Sequence, residues 1–238
     1  MICFLTSSPI IPNTSLVNPA NAFCAELRDC FPARCRALYI CSDPENVELT
    51  EFYAAATRGS FEDAGFHFER FRILDGRNEE QAEALIRDSD LLILTGGHVP
   101  TQNRFFQRID LRAALRDYSG IIIGISAGSM NAAELVYAQP EEPGEGVDPD
   151  YELFLPGLGL TKTMLLPHYQ LVKDNYLDGL RLYEDITFRD SMGYTFYAIP
   201  DGSYLLIRDG QETLRGEAYR IRDGVRERIS DQGQIVLL

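Results

Sequence analysis

One serine stands in a setting that can make it a nucleophile. Ser126 is the central residue of a G-x-S-x-G pattern over 124–128, and the pattern follows the apolar run Ile121–Ile125. Such a pattern after a buried strand predicts a nucleophile elbow, a sharp strand-to-helix turn that lifts the serine hydroxyl above the sheet. The alternatives are a structural turn and a helix N-terminus that binds a ligand.

Backbone N–H groups for a developing oxyanion are expected at two turns. The helix after Ser126 points its N-terminus at the hydroxyl, so the N–H of Ala127 is a natural donor. A second turn, Gly96-Gly97-His98, follows the apolar strand Leu91–Thr95. Because parallel strands end at one edge of a sheet, this turn can bring further N–H groups toward Ser126. The alternative is a turn that needs glycine only for its backbone.

A serine hydroxyl needs a base, and the chain has three histidines. His168 ends the apolar run that contains Leu165 and Leu166, at an expected strand end, and it is the favoured base. His98 is the second candidate, although it can instead bind substrate, and a site without a catalytic histidine is the third possibility. His67 lies within an alternating strand and is predicted to be structural.

Several residues are candidates for the acid that orients the histidine. Asp201, in Pro200-Asp201-Gly202, lies downstream of His168 and is favoured, although this tripeptide is also a common turn. Glu141 and Glu142 are the alternatives. Glu134 is excluded, because eight residues along a helix would put it about 12 Å from Ser126.

At these residues the sequence resembles the aspartyl dipeptidase (peptidase E) and cyanophycinase group of serine peptidases. The matching segments follow the group's order along the chain: Leu94–Gly97, Gly124–Gly128, Pro167–His168 and Ala198–Gly202. The fold of this group is similar to that of the class I glutamine amidotransferases. The resemblance implies hydrolysis of small peptides beside an aspartyl residue, with no metal and no cofactor.

The resemblance also implies a role for each matching residue. Ser126 would be the nucleophile, His168 the base, and an acid near Asp201 would complete the triad. The backbone N–H groups of Gly97 and Ala127 would hold the oxyanion. Contacts with substrate are expected from Gly96, His98 and Asn131. His98 and the segment Ser129–Asn131 depart from the residues that are usual in the group.

An acidic substrate side chain would need a cation. Arg104, Arg108 and Lys162 are the candidates, and the alternative for each is a solvated surface charge. Two other functions are open. One is an esterase or acyl hydrolase of the α/β-hydrolase type. That fold places its histidine last, after the acid, and no histidine follows His168, so Glu141 or Asp148 would have to be the acid. The other is a non-catalytic binding or regulatory module.

The elements that position these residues predict an α/β fold with a mostly parallel sheet, helices on both faces and C-terminal antiparallel hairpins. We expect a single domain over residues 1–238. The predicted strands are Ile2–Thr6, Arg36–Cys41, Phe66–Leu74, Leu91–Thr95, Ile121–Ile125, Phe196–Ile199, Ser203–Ile207, Ala218–Ile221 and Gln234–Leu237. The predicted helices are Asn21–Phe31, Val47–Ala64, Glu79–Asp88, Thr101–Tyr118, Gly128–Tyr137 and Lys173–Phe188, and residues 139–150 are predicted to form an exposed acidic loop.

Composition limits the partners. The net charge is −14, which disfavours nucleic-acid binding. All five cysteines lie within the first 41 residues without C-x-x-C spacing, so reduced, mostly buried thiols are expected. We expect a cytoplasmic protein without signal peptide or membrane span, whose partner is a small peptide substrate, and a homodimer is one expected assembly.

Overall fold

Short apolar strands alternate with helices along the first half of the chain, in the predicted order. The computed structural model describes all residues 1–238. The strands are β1 (Ile2–Thr6), β2 (Cys35–Ile40), β3 (Phe68–Leu74), β4 (Leu91–Leu94), β5 (Ile121–Ile125), β6 (Leu135–Tyr137), β7 (Phe154–Pro156), β8 (Met164–Leu166), β9 (Tyr176–Leu177), β10 (Leu180–Arg181), β11 (Thr195–Ala198), β12 (Tyr204–Arg208), β13 (Gln211–Arg215), β14 (Ala218–Arg222), β15 (Val225–Ser230) and β16 (Ile235–Leu237). The helices are α1 (Phe23–Cys30), α2 (Val47–Asp63), α3 (Ala82–Arg87), α4 (Val99–Arg108), α5 (Leu111–Ala114), α6 (Ala127–Met130), α7 (Tyr169–Val172) and α8 (Phe188–Asp190), with single 3₁₀ turns at Ala20–Ala22 and Glu79–Gln81 and a π-helical segment at Leu182–Thr187.

The main sheet has eight strands in the order β16-β13-β12-β1-β5-β4-β2-β3. The strands from β1 to β3 in that order are parallel, and the other three continue the sheet antiparallel. Leu5 of β1 and Leu94 of β4 both pair with Gly124 of β5. The carboxyl ends of these three strands therefore meet at one edge of the sheet, on either side of Ser126.

Helices cover both faces of this sheet because its strand residues are apolar on both. Alternate residues such as Ile122 pack with α3, α4 and α5 on one face. Their neighbours Ile121 and Ile123 pack with α1 and α2 on the other. This arrangement explains the unbroken apolar runs of the sequence and confirms the predicted fold class.

A second sheet, in the order β15-β14-β11-β8, holds the remaining C-terminal strands. Its strands β8 and β11 are parallel, and Leu166 pairs with Ala198. The two segments that follow these strand ends carry His168 and Asp201. The second sheet thus positions His168 and Asp201 close together, next to the edge of the main sheet that carries Ser126.

Two predicted helices are wrong, and a third, Thr101–Tyr118, is divided at Asp110 (φ 48°) into α4 and α5. The helix that begins after Ser126 ends at Met130, and Leu135–Tyr137 instead forms β6, which pairs with β7. The segment predicted as helix Lys173–Phe188 begins with the hairpin β9–β10. Its turn residues Asp178 and Gly179 both have positive φ, which a helix does not allow. None of the helices has the length and apolar character of a membrane-spanning segment.

Candidate active site

Ser126 occupies a strained turn between β5 and α6. Its backbone has φ 51° and ψ −114°, a conformation that non-glycine residues rarely adopt. Close contacts explain the two flanking glycines. A Cβ on Gly124 would lie 2.8 Å from the hydroxyl of Ser129, and a Cβ on Gly128 would lie 2.2 Å from the carbonyl oxygen of Leu94. The G-x-S-x-G spacing is therefore a packing requirement of this turn.

A continuous chain of hydrogen bonds runs from Ser126 to a carboxylate. Nε2 of His168 lies 2.9 Å from Oγ of Ser126, and Nδ1 of His168 lies 2.8 Å from Oδ1 of Asp201. With the serine hydroxyl donating to Nε2, the tautomer of His168 carries its proton on Nδ1 and donates it to Asp201. This geometry allows the imidazole to take a proton from Ser126 while the carboxylate fixes the ring.

Backbone geometry and two further side chains hold His168 and Asp201 in place. His168 has φ 57°, and its N–H donates to Oγ of Ser7 over 2.7 Å. The same hydroxyl donates to Oδ1 of Asp201 over 2.7 Å. The N–H of Asp201 donates to the side chain of Gln170. Ser7 follows β1 and thus ties both members of the site to the main sheet.

The carboxyl of Asp201 stays ionised at neutral pH. Its side chain is only 6% exposed. Burial raises the pKa of Asp201, but the hydrogen bonds from His168 and Ser7 favour the charged form and leave the pKa below its usual value. A charged carboxylate beside Nδ1 can stabilise the imidazolium that forms when the ring accepts a proton.

Several backbone N–H groups in the segments next to Ser126 donate to no acceptor in the protein. They belong to Gly96, Gly97 and His98, in the turn after β4, and to Ala127, the first residue of α6. The turn after β4 packs directly on the serine, because a Cβ on Gly96 would lie 3.3 Å from the Cβ of Ser126. The predicted binding of an oxyanion by the N–H groups of Gly97 and Ala127 stays a prediction.

His98 does not join this hydrogen-bonded chain. Its Nδ1 lies 2.8 Å from Oγ1 of Thr101, and its Nε2 lies 2.8 Å from Oε1 of Glu145. The half-buried ring therefore links the turn after β4 to the acidic loop. The predicted contact between His98 and substrate stays a prediction.

Asn131 has a structural position instead of the predicted contact with substrate. Its side chain is fully buried and donates to the carbonyl of Val99 and to Gln102. It also accepts a hydrogen bond from Asn103 over 2.8 Å. These bonds use the polar atoms of the amide to fasten α6 to α4, so we do not carry Asn131 into the proposed substrate site.

The other candidate acids lie beside His98 rather than His168. Oε1 of Glu141 accepts the N–H of Val99, and burial raises the pKa of Glu141. The side chains of His98, Glu142 and Glu145 have donor atoms within 4.8 Å of one another, as in a metal site. Glu145 already accepts bonds from His98 and from the N–H groups of Glu141 and Glu142, so these contacts hold the cluster together without a cation.

The three predicted cations have different surroundings. Arg108 forms ion pairs with Glu45 and Glu79. Arg104 is exposed and donates to Thr101. Lys162 is exposed and precedes β8, whereas His168 follows the opposite end of that strand.

Comparisons with known proteins give one family and one fold. The profile of peptidase family S51 matches residues 23–215. A crystal structure of a candidate peptidase E protein from Listeria monocytogenes EGD-e matches 96% of this chain and 98% of its own, with 17% sequence identity and a TM-score of 0.58. No curated protein sequence matches the chain. The solved structure supports the fold, while the family profile covers Ser126, His168 and Asp201.

Proposed function

The chain belongs to peptidase family S51 and is a serine peptidase, and we propose that it hydrolyses small peptides with Ser126 as nucleophile. The observation that carries this proposal is the hydrogen-bonded chain Ser126–His168–Asp201, with contacts of 2.9 Å and 2.8 Å. Nucleophile, base and orienting acid are all within the distances that such a mechanism needs. No residue has to move before the proton can be transferred.

Acylation begins when Oγ of Ser126 attacks the carbonyl carbon of the scissile amide. His168 accepts the hydroxyl proton at Nε2, and Asp201 stabilises the imidazolium through Nδ1–H. The tetrahedral intermediate collapses when the C–N bond breaks and His168 gives its proton to the leaving amine. Water then attacks the acyl-enzyme with His168 again as base, and the acid product leaves Ser126 with its hydroxyl restored.

The oxyanion is proposed to bind between the N–H groups of Gly97 and Ala127. Neither group has an acceptor in the protein; Ala127 directly follows Ser126, and Gly97 belongs to the turn that packs on it. Removing one such donor raises the barrier by about 3–4 kcal/mol in serine peptidases. Loss of one donor is therefore expected to cost less than loss of the base, which lowers kcat by about 10⁶-fold in a serine peptidase.

The order of the triad favours a peptidase over an α/β-hydrolase esterase. In that fold the acid precedes the histidine. Here Asp201 follows His168 and approaches it from the neighbouring parallel strand of a second sheet. The complete proton path likewise favours an enzyme over a binding module that has lost catalysis.

Reaction with a fluorophosphonate probe tests the nucleophile assignment. The native protein should acquire one covalent adduct, and peptide mapping by mass spectrometry should find it on Ser126. Protein unfolded in urea should not react, because the activation depends on His168. A native protein without an adduct, or with the adduct on another serine, would contradict the proposal and support the binding module.

Gly97→Ala is expected to lower kcat by about 10²-fold, with a smaller effect on KM. The new Cβ would lie 2.3 Å from Oγ of Ser42, and Gly97 has φ 149°, so the turn and its N–H must shift away from the oxyanion. Steady-state kinetics on a dipeptide measures this effect.

Gly65→Ala is the matched control for this substitution. Gly65 also has positive φ but lies at the end of α2, with open space around its Cα. It should lose stability while keeping its kcat. Equal losses of kcat in the two variants would show that the effect comes from general destabilisation and not from the oxyanion donor.

We propose a cytoplasmic location because of the state of the cysteines. All five are free thiols in the structure, with Cys3, Cys35 and Cys41 buried. Reduced thiols agree with a cytoplasmic protein. A homodimer remains a prediction.

A further inference from the structure

Ser7 contacts all three members of the proposed triad. Its carbonyl oxygen accepts the N–H of Ser126 over 3.1 Å. Its Oγ accepts the N–H of His168 over 2.7 Å and donates to Oδ1 of Asp201 over 2.7 Å. The nucleophile, the base and the acid are therefore all fastened to one residue.

The topology of the sheets explains this position. β1 lies between β5 and β12 in the main sheet. Ser7 directly follows β1, and its backbone continues the pairing on both sides, with Ser126 after β5 and, over 3.2 Å, with Ser203 before β12. Asp201 lies in the segment that connects β11 of the second sheet to β12. Ser7 thus lies where the two sheets meet, and it is fully buried there.

The hydroxyl of Ser7 has a fixed direction. A serine Oγ carries one proton and two lone pairs. The backbone N–H of His168 occupies a lone pair, and the ionised Asp201 has no proton to give, so the hydroxyl donates to Oδ1. Oδ1 then receives two protons, one from Ser7 and one from Nδ1 of His168. These two donors fix the carboxylate oxygen that faces the imidazole.

The same hydroxyl supports the backbone of His168. The φ of this residue is 57°, which is uncommon for a residue with a side chain, so neighbouring contacts must hold the conformation. The bond from its N–H to Ser7 is one such contact. The hydroxyl therefore acts on the backbone of His168 directly and on its ring through Asp201.

We propose that Ser7 is a positioning residue of the triad, whose hydroxyl holds Asp201 and His168 in register with Ser126. The inference rests on the proposed function and adds a fourth residue to it. Loss of the hydroxyl would leave the backbone bond to Ser126 in place. The nucleophile would keep its turn, while the base and the acid would lose their shared anchor.

Ser7→Ala is expected to lower kcat for dipeptide hydrolysis by about 10–100-fold, while KM changes by less than about threefold. A small displacement of the imidazole impairs the proton transfers of acylation and deacylation, but it leaves the surfaces that bind the substrate unchanged. Steady-state kinetics measures both constants. A folded Ser7→Ala variant with the kcat of the wild type would overturn the inference.

Ser191→Ala is the matched control. Ser191 is also fully buried, and its Oγ likewise accepts one backbone N–H, from Gly224 over 2.9 Å, and donates once, to the carbonyl of Phe188 over 2.8 Å. It precedes β11, whereas Asp201 follows the opposite end of that strand. This variant should lose stability, as Ser7→Ala does, and keep its kcat. A kcat that falls as far in the control would assign the effect to stability and refute the positioning role.

Proton NMR supplies a readout that does not depend on turnover. The proton between Nδ1 of His168 and Oδ1 of Asp201 should resonate far downfield, and its loss in His168→Gln assigns the signal. In Ser7→Ala this signal should shift or broaden, because Oδ1 loses its second donor. In Ser191→Ala it should stay at its wild-type position. An unchanged signal in folded Ser7→Ala would contradict the inference.

If Ser7→Ala does not fold, Ser7→Cys takes its place in both measurements. The thiol keeps a side-chain atom at this position but is only a weak donor and a weak acceptor. Its kcat should fall by about tenfold, and the downfield signal should change. A folded Ser7→Cys variant with the kcat and the signal of the wild type would overturn the inference.

Turnover and the downfield signal together separate the two proposals. If the wild type cleaves no dipeptide, but the signal changes in Ser7→Ala and not in Ser191→Ala, the positioning role stands and the proposed hydrolysis fails. If the wild type cleaves dipeptides and Ser7→Ala keeps both its kcat and its signal, the hydrolysis stands and the role of Ser7 fails.

Discussion

Replacing Ser126 with alanine is expected to lower kcat for dipeptide hydrolysis by about 10⁴-fold or more. Without Oγ no acyl-enzyme can form, and only substrate binding and the oxyanion donors remain to assist attack by water. The fold should survive, because alanine keeps the Cβ that already fits the turn at φ 51°. Steady-state kinetics and circular dichroism on the same preparation measure both expectations.

Ser119→Ala is the matched control for this substitution. Ser119 is exposed and lies just before β5, at the opposite end of the strand that leads to Ser126. Its kcat should equal that of the wild type. A clean Ser126→Ala preparation, checked by intact mass, that keeps more than about one hundredth of wild-type activity would contradict the nucleophile assignment.

The turn at Ser126 was predictable because its cause is local. A buried strand, a reversal and a helix start within a few residues require small neighbours, and Gly124 and Gly128 meet that requirement. The length of the following helix depended on distant partners. Leu135–Tyr137 pairs with a segment after the acidic loop, and the predicted helix to Tyr137 ignored that tertiary pairing.

The contact between His168 and the serine was predictable only as a choice among three histidines. Strand ends in α/β folds collect catalytic groups, and that rule favoured His168. No comparable rule identified Asp201 as the acid. Asp201 reaches His168 because β8 and β11 are adjacent and parallel, although 28 residues lie between the end of β8 and the start of β11, and no local pattern reveals such a pairing.

Ser7 and Gln170 were missed for the same reason. Each contacts Asp201 across a long stretch of chain, and neither has a distinctive sequence setting. The one signal for Ser7 was its place directly after the first apolar strand. A hydroxyl at the carboxyl end of a buried strand is a candidate for any site at that edge of the sheet.

Asp201→Asn is expected to lower kcat by about 10³–10⁴-fold with little change in KM. The amide keeps the size of the side chain, but an NH₂ group that faces His168 takes the place of Oδ1, which also accepts from Ser7. Its NH₂ group, however, favours the tautomer of His168 in which Nδ1 accepts and Nε2 carries the proton. That imidazole cannot take the proton of Ser126, and the carboxylate that stabilised the imidazolium is gone.

Glu141→Gln separates this role from the alternative acid that the sequence left open. Glu141 is bonded to the N–H of Val99 and belongs to the cluster around His98, so its loss should change kcat by less than about threefold. A kcat that falls equally in both variants would mean that the carboxylates act through stability or charge alone. A kcat that falls only with Glu141→Gln would move the acid to the loop. The expected difference arises because only Asp201, 2.8 Å from Nδ1, can set the proton position on His168.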